Sequence, residues 1–508
     1  MRNRRPTESA MNRFTIAMIS LVCTASAGFA QEYKTDIPSA IVTPDSVDTR
    51  LGTLKFKDGF PDDATVQKVY DNLDFQRGVQ AFLTAMPAAS LVAMRKGIRG
   101  FGPDNQTAII FETLMDSRSL FLTANTESIY TTAWIDLKNG PIVIESPPNT
   151  LGVVDDFWFR YVADLGNAGP DKGQGGKFLF LPPGYNGSVP DGYHVYKSPT
   201  FGNWYIARGF QVNGNPKPGA ESIKAHLRIY PLSQATNPSS TNFVNVSGNA
   251  FNTIHAMDFS YFDEVNQVIQ EEPNTAMDPE TLGLLASIGI EHGKPFAPDE
   301  RMKKILTDSA AVGSATVRAL AYRSRDPEAY LYRNSAWQTP FIGGSYEFLR
   351  NGARLLDARS FFFFMATVIT PAMALQAPGA GSQYAFAVTD AKGQPFDGGK
   401  TYKLRLPPNI PAKNFWSLVL YDAQTRSMLQ TDQQFPSIGS EKKGVVINPD
   451  KSVDVYFGPK SPPGKESNWV QTWPGKGWSV ILRLYGPEQA FFDKTWKPGE
   501  FEEVTSGQ

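Results

Sequence analysis

The sequence predicts a mixed α and β protein, mainly antiparallel, with two β-sandwich or jelly-roll-like domains, an N-terminal helical part and a helical segment between them. Three observations lead there. Two blocks of short, turn-bounded strand patterns are separated by a long stretch of helical periodicity, the strands of the last block alternate in polarity, and turn signals recur at short intervals. A chain of 508 residues has room for two or three such domains.

The first thirty residues read as a secretory signal peptide. Basic residues (Arg2, Arg4, Arg5, Arg13) precede an apolar stretch from Phe14 to Val22, and small residues flank Gly28-Phe29-Ala30. The apolar part is well short of the roughly 18 residues of a membrane span, so cleavage is expected after Ala30, leaving Gln31 first; Met11 is an alternative start. Cys23, the only cysteine, lies in this segment, and Val22 before it is a poor setting for lipid attachment. A mature chain without thiols excludes disulfides, cysteine ligands and a cysteine nucleophile. Cleavage would remove four basic residues and one acidic residue, so the balance of 49 against 50 becomes 45 against 49. No basic stripe for phosphate neutralisation follows from that balance, and nucleic acid is not an expected partner. Nor does any later apolar run suffice to cross a bilayer.

Residues 31–97 form the expected N-terminal helical region. From about Ala64 to Lys96, Val66, Val69, Leu73, Val79, Phe82 and Leu83 recur at helical spacing after Asp62-Asp63. Residues 98–232 change to strand composition. Thr131 to Leu137, the turn Asn139-Gly140 and Ile142-Val143-Ile144 read as a hairpin. Further strands are expected at Phe157–Val162, Lys177–Leu181, Tyr193–Tyr196, Trp204–Phe210 and Leu227–Tyr230. Residues 233–260 include the polar stretch Ser233 to Ser247, read as a linker or cover loop. Residues 261–375 are helical in pattern, with starts at Asp278-Pro279-Glu280 and at Pro298-Asp299-Glu300, and Phe361 to Phe364 as a buried turn. Residues 376–508 return to strands: Tyr402–Leu406, Trp416–Tyr421, Val453–Phe457 and Ser479–Tyr485. In the last of these Val480, Leu482 and Leu484 face one side and Arg483 the other, and one-sided burial is expected.

Recognised catalytic motifs are missing. The Gly-rich run from Gly169 to Phe178 fails as a phosphate loop, because Asp171 stands five before Gly176 and Phe178 where Ser or Thr must reach magnesium; it reads as a tight turn. There is no G-x-S-x-G elbow and no H-E-x-x-H, and His194, His226, His255 and His292 lack ligand spacing, so no metal site and no cofactor are expected. What remains is a constellation of charge and aromatic rings on strand-like segments: Asn125, Glu127 and Tyr130; Asp156, Arg160, Tyr161 and Asp164; Trp204 and Arg208. In strand register Asp156, Trp158 and Arg160 share a face, whereas Asp155 and Asp156 point oppositely. The cluster admits a buried ion-pair network or a ligand site.

Two sets of motifs carry a resemblance. The runs Thr123-Ala124-Asn125-Thr126-Glu127-Ser128-Ile129-Tyr130, Ile135-Asp136-Leu137 with Gly140-Pro141, and Lys197-Ser198-Pro199-Thr200 with Arg208 resemble the domain-of-unknown-function family numbered 1254. Asn414 to Asp422, Ser437-Ile438-Gly439, Asn468-Trp469 and Leu482 to Pro487 resemble its usual partner, family 1214. The resemblance implies an exported protein with β-rich domains around a helical insert, and no shared reaction. Asn125, Glu127, Asp164 and Arg208 match the pattern, with Glu127 where many relatives have Asp. Gly166 and Asn167 depart from it, which removes any ligand contact carried over to those two positions.

Three functions compete. One is an exported envelope protein, periplasmic or secreted, that binds a small polar molecule, glycan or protein partner between its β domains. Another is a hydrolase or lyase for a carbohydrate or organic acid, with Glu127 or Asp164 as acid or base and Arg160 or Arg208 holding an anionic group. A third is structural or assembly work. Whether Glu127, Asp164, Arg160 and Arg208 open into one pocket discriminates among them.

Overall fold

The structure, a computed structural model, describes residues 35–504. The expected signal peptide lies outside the described residues. Two units are distinguished, one ending at Val69 and one beginning at Tyr70. In the first, strands Ser46–Thr49, Gly52–Lys57 and Phe60–Pro61 form an antiparallel meander. This is strand where the sequence pattern led us to expect only helix.

The expected long helix is two helices, α1 (Asp63–Thr84) and α2 (Met86–Arg99), separated at Ala85. Pro87 accounts for the break: it sits in the first turn of α2, where a missing N–H costs nothing, and would have interrupted a continuous helix.

Ten strands build the first sandwich: β1 (Thr107–Ile110), β2 (Ser128–Asp136), β3 (Ile142–Ser146), β4 (Leu151–Asp156), β5 (Tyr161–Gly166), β6 (Gly176–Leu181), β7 (His194–Lys197), β8 (Gly202–Phe210), β9 (Arg228–Pro231) and β10 (Asn242–Asn245). One sheet runs β10-β1-β2-β8-β4-β5 and the other β7-β6-β3-β9. Their facing side chains, among them Ile144, Phe178, Ile229, Ile135, Val154 and Tyr205, form one buried core. The Asn139-Gly140 turn does not make a hairpin. Strands β2 and β3 belong to opposite sheets, with β2 between β1 and β8 and β3 between β6 and β9. The turn is real, but Leu137 N–H bonds Phe201 O instead, and the chain crosses from layer to layer. Strand β10 lies within the polar stretch read as a connection and pairs in parallel with β1.

The helical segment contains α3 (Ser260–Glu271), α4 (Pro279–Ala286), α5 (Glu300–Tyr322) and α6 (Leu356–Met365). Both expected starts are capped as the sequence suggests: the Asp278 carboxylate accepts from Thr281 N–H and that of Asp299 from Met302 N–H. Between α5 and α6 the chain is irregular, with one small hairpin pairing Leu349–Arg350 with Ala353–Arg354.

The second sandwich has β11 (Ser382–Ala387), β12 (Tyr402–Leu406), β13 (Ala412–Asp422), β14 (Ser437–Gly439), β15 (Val453–Gly458), β16 (Trp469–Gln471), β17 (Trp478–Pro487) and β18 (Phe501–Glu503). Its sheets run β11-β17-β13-β14 and β16-β15-β12-β18 around a core that includes Leu404, Leu420, Val455 and Leu482. The expected one-sided burial does not hold. Strand β17 is buried throughout, Arg483 included, because one sheet of each sandwich, the six-stranded one of the first and β11-β17-β13-β14 of the second, turns its second face onto the helices. Trp204 and Ile206 of β8, Phe386 of β11 and Ile481 of β17 share a central core with α2, α3 and α6. The run Phe361–Phe364 is buried there on α6. Among the described residues no helix is long and apolar enough to cross a membrane.

Candidate functional site

Alternation along β8 sends Trp204, Ile206 and Arg208 to the helix-covered face, and register sets Arg208 beside Tyr130 of β2 and Leu151 of β4. From the other sandwich, β17 presents Ile481 and Arg483, and β11 presents Tyr384 and Phe386. All of these side chains except Trp204, with Phe361, Phe362 and Met365 of α6, line a cavity of about 140 Å3. Its walls are mainly apolar, and its polar residues are Arg208, Arg483, Tyr130, Tyr384, Asp164, Thr370, Thr123, Thr367 and Ser382.

The two arginines differ in how they are held. Arg483 donates from Nη2 to Thr123 O (2.6 Å) and Tyr421 Oη (2.8 Å), while its Nη1 is buried without a hydrogen-bond partner among the described residues. Arg208 is surrounded by protein yet keeps surface open to the cavity. It has no hydrogen bond or ion pair among the described residues. Burial raises the pKa of Tyr130, Tyr421 and Tyr485, so these rings present neutral hydroxyls to the guanidinium groups. The charge of Glu127 acts on Arg483 without an ion pair, and a buried charge such as Arg208, with no paired carboxylate among the described residues, is costly unless something else neutralises it.

At the other side of the cavity, Thr370 Oγ1 lies 2.8 and 2.9 Å from the two oxygens of Asp164, and Asp164 N–H donates to Tyr161 Oη at 3.0 Å. Burial pushes the Asp164 carboxyl up to about 6. Nearby Asp155 accepts from Ile369 N–H at 3.0 Å through one oxygen, the other having no hydrogen-bond partner among the described residues, and burial raises its pKa well above the usual range. Both carboxyl groups thus grip residues 366–370, and within that loop Val368 has φ +72°. A β-branched residue there costs about 1–3 kcal/mol and persists only where its surroundings impose it. The strained residue lines the cavity.

The remaining expected residues go elsewhere. Asn125 Oδ1 accepts from Glu127 N–H (3.0 Å) and Ser128 N–H (2.9 Å), shaping the turn into β2. Glu127, bonded to Thr126 and raised in pKa by burial, lines a separate groove of about 370 Å3 with Gln211 and Phe415. Asp156, Trp158 and Arg160 do not share a strand face. Strand β4 ends at Asp156, and residues 157–160 turn, with Phe159 at φ +52°. Asp156 organises that turn, accepting from Trp158 N–H, Arg160 N–H and Arg160 Nε (2.7 Å). The turn aims Arg160 into a third cavity, of about 470 Å3. Trp204 is a core residue whose Nε1 donates to Thr132 Oγ1 at 2.6 Å. Of the four charged residues whose convergence was in question, Asp164 and Arg208 share a cavity; Glu127 and Arg160 do not join them. Arg483, Tyr384 and Thr370 were missed. The lone Arg483 amid alternating aliphatic residues was the available signal, and it reads as solvent-facing until both faces are known to be covered.

Family comparisons match this architecture. Residues 105–231 match the model described as protein of unknown function DUF1254, and residues 381–489 the one described as protein of unknown function DUF1214. The chain carries a DUF1254 domain followed by a DUF1214 domain. The first match spans β1 to β9 and the second includes β11 to β17, so Arg208 comes from the DUF1254 domain and Arg483 from the DUF1214 domain. No curated protein matches the chain significantly. Among solved structures, the VPA0106 protein of Vibrio parahaemolyticus is similar at 18% identity and a TM-score of 0.53, over 85% of this chain and 100% of that one. That likeness shows a shared fold. An uncharacterised protein from Burkholderia cenocepacia aligns at 11% identity and a TM-score of 0.37, over 86% of this chain and 96% of that one.

Proposed function

We propose that the protein binds a small amphipathic anion, such as an aliphatic or aromatic carboxylate, in the cavity between its DUF1254 and DUF1214 domains. One observation carries the reading: Arg208 and Arg483 enter an apolar cavity without a carboxylate at ion-pair distance among the described residues. A carboxylate would satisfy both guanidinium groups, whose planar forks suit it, while the walls would bury its apolar body. Asp164 and Thr370 supply a second polar end. Arg208 pairs with Leu151, and Val153, two residues on, pairs with Asp164. At about 4.8 Å per strand and 3.3 Å per residue, the Asp164 Cα lies roughly 12 Å from that of Arg208. A molecule with a hydrogen-bonding group opposite its anionic end fits that span better than a simple fatty chain.

Thermal unfolding of residues 31–508 against carboxylates, their matching alcohols, sugars and divalent metals tests this. A ligand at about 100 times its Kd adds about 2.7 kcal/mol, enough to move the transition. Carboxylates should stabilise the protein and alcohols should not, with the effect lost in a folded Arg208→Gln variant. Stabilisation by sugars alone, unchanged in that variant, contradicts the reading. A second reading, acid or base catalysis on the same ligand, is favoured by the raised pKa of Asp164; it requires turnover that Asp164→Asn abolishes while binding persists. The N-terminal sequence supports work outside the cytoplasm, and N-terminal sequencing of the protein from an envelope fraction should begin at Gln31.

A further inference from the structure

We infer that the third cavity, between α4, α6 and the hairpin 349–354, is an oxyanion site distinct from the first, formed by Arg160, Arg354 and Arg359. It would take a phosphate or carboxylate group carried by a polar molecule. All three arginines line this space of about 470 Å3. Arg160 spends its Nε on Asp156, Arg354 spends Nη1 on Glu347 O, and Arg359 spends Nη2 on Thr84 O. Neither Arg354 nor Arg359 forms an ion pair among the described residues.

The local charges do not explain this convergence. Asp156 is ion-paired with Arg160 alone among the described residues; among the acids that line the space Asp278 acts on Arg359, but both its oxygens are engaged by Thr281 in capping α4. Glu280 and Glu347 also line the space, and neither makes an ion pair with the three arginines among the described residues. Arg359 is held below its ordinary pKa, at about 10, first by burial and then by the charge of Arg354, with Arg160 adding to it. Like charges brought together in a cavity repel, and a bound oxyanion would relieve that repulsion while accepting their free N–H groups. Helix α6 adds to the field. It begins at Leu356 with no side-chain cap, and Leu356 lines the cavity. Its first N–H groups and positive dipole end favour an anion there. The rings of Tyr161 and Tyr346, 6.2 Å apart, wall the space and leave room for more than a bare ion.

The probes are inorganic phosphate and citrate, titrated into residues 31–508 by calorimetry, with sodium chloride holding ionic strength constant. Arg354→Gln is the main variant, because Arg354 is exposed and its loss spares the core; Arg359→Gln is the second, and Arg208→Gln reports on the first cavity. Saturable binding of either probe, weakened about tenfold or more in Arg354→Gln and retained in Arg208→Gln, supports the inference. Phosphate binding alone points to a phosphoryl ligand, and citrate alone to a carboxylate. No binding of either probe by the wild type overturns it. So does binding that survives both Arg354→Gln and Arg359→Gln, or that is lost in Arg208→Gln instead, which would move the anion to the first cavity.

Discussion

Arg208 and Arg483, 275 positions apart in the chain, enter one cavity from two different β-sandwiches, and only Arg483 is tethered by hydrogen bonds. The difference implies different roles. Arg483 reaches across to Thr123 of the first sandwich and is steadied by Tyr421 of its own, whereas the Arg208 side chain forms no hydrogen bond or ion pair among the described residues.

The first prediction separates these roles by stability. In the ligand-free protein, Arg208→Met should leave the unfolding temperature unchanged or raise it, since it removes an unpaired charge from an enclosed site. Arg483→Met should destabilise by about 2–4 kcal/mol, because Thr123 O and Tyr421 Oη lose their buried donor. Equal losses in the two variants would contradict the distinction.

Stability should also depend on pH in a defined direction. Asp164 is raised to about 6, and Glu264 and Glu272 to about 7, all by burial. Raised carboxyl groups bind more protons folded than unfolded, so stability falls as pH rises from about 4 towards 7. Asp164→Asn should flatten that slope, by an amount on the order of 2–3 kcal/mol across the window. Chemical denaturation at a series of pH values measures it.

Glu271 acts with the opposite sign. It accepts two bonds from Arg95, at 2.7 and 2.8 Å, and one from Lys138, and is held down at about 2. Its contribution is complete above about pH 4.5 and is lost as pH falls towards 2. Arg95 is buried and lies over Phe157 and Trp134, so Arg95→Met should cost roughly 3 kcal/mol at neutral pH. The cost should shrink in acid, which unfolding curves at pH 3 and pH 7 would compare.

Relief of the strained loop gives a fourth test. Val368→Gly permits φ +72° without steric penalty, and should raise stability by about 1 kcal/mol after the entropic cost of glycine is subtracted. If the strain serves the cavity, ligand affinity should fall in the same variant even as its melting temperature rises.

Features that depend on near neighbours in the chain were legible from the residues alone. The strand Tyr402–Leu406 and the helix caps Asp278 and Asp299 were legible because alternation and capping act over two to four residues. So were the turn at Asn139-Gly140 and the buried run at Phe361–Phe364. Tertiary structure decided which elements met. The turn at Gly140 reads the same whether it returns a strand to its own sheet or carries it to the opposite one, since partners β8 and β6 lie far along the chain. Arg160 left its expected face because strand β4 stops at Asp156, whose own side chain supports the turn. Arg483 looked like an outward residue because alternation says which side a residue faces and not what covers that side. Covering both faces of β8 and β17 with other elements is a long-range packing event, and it is what turned two unremarkable strand arginines into the polar groups of one cavity.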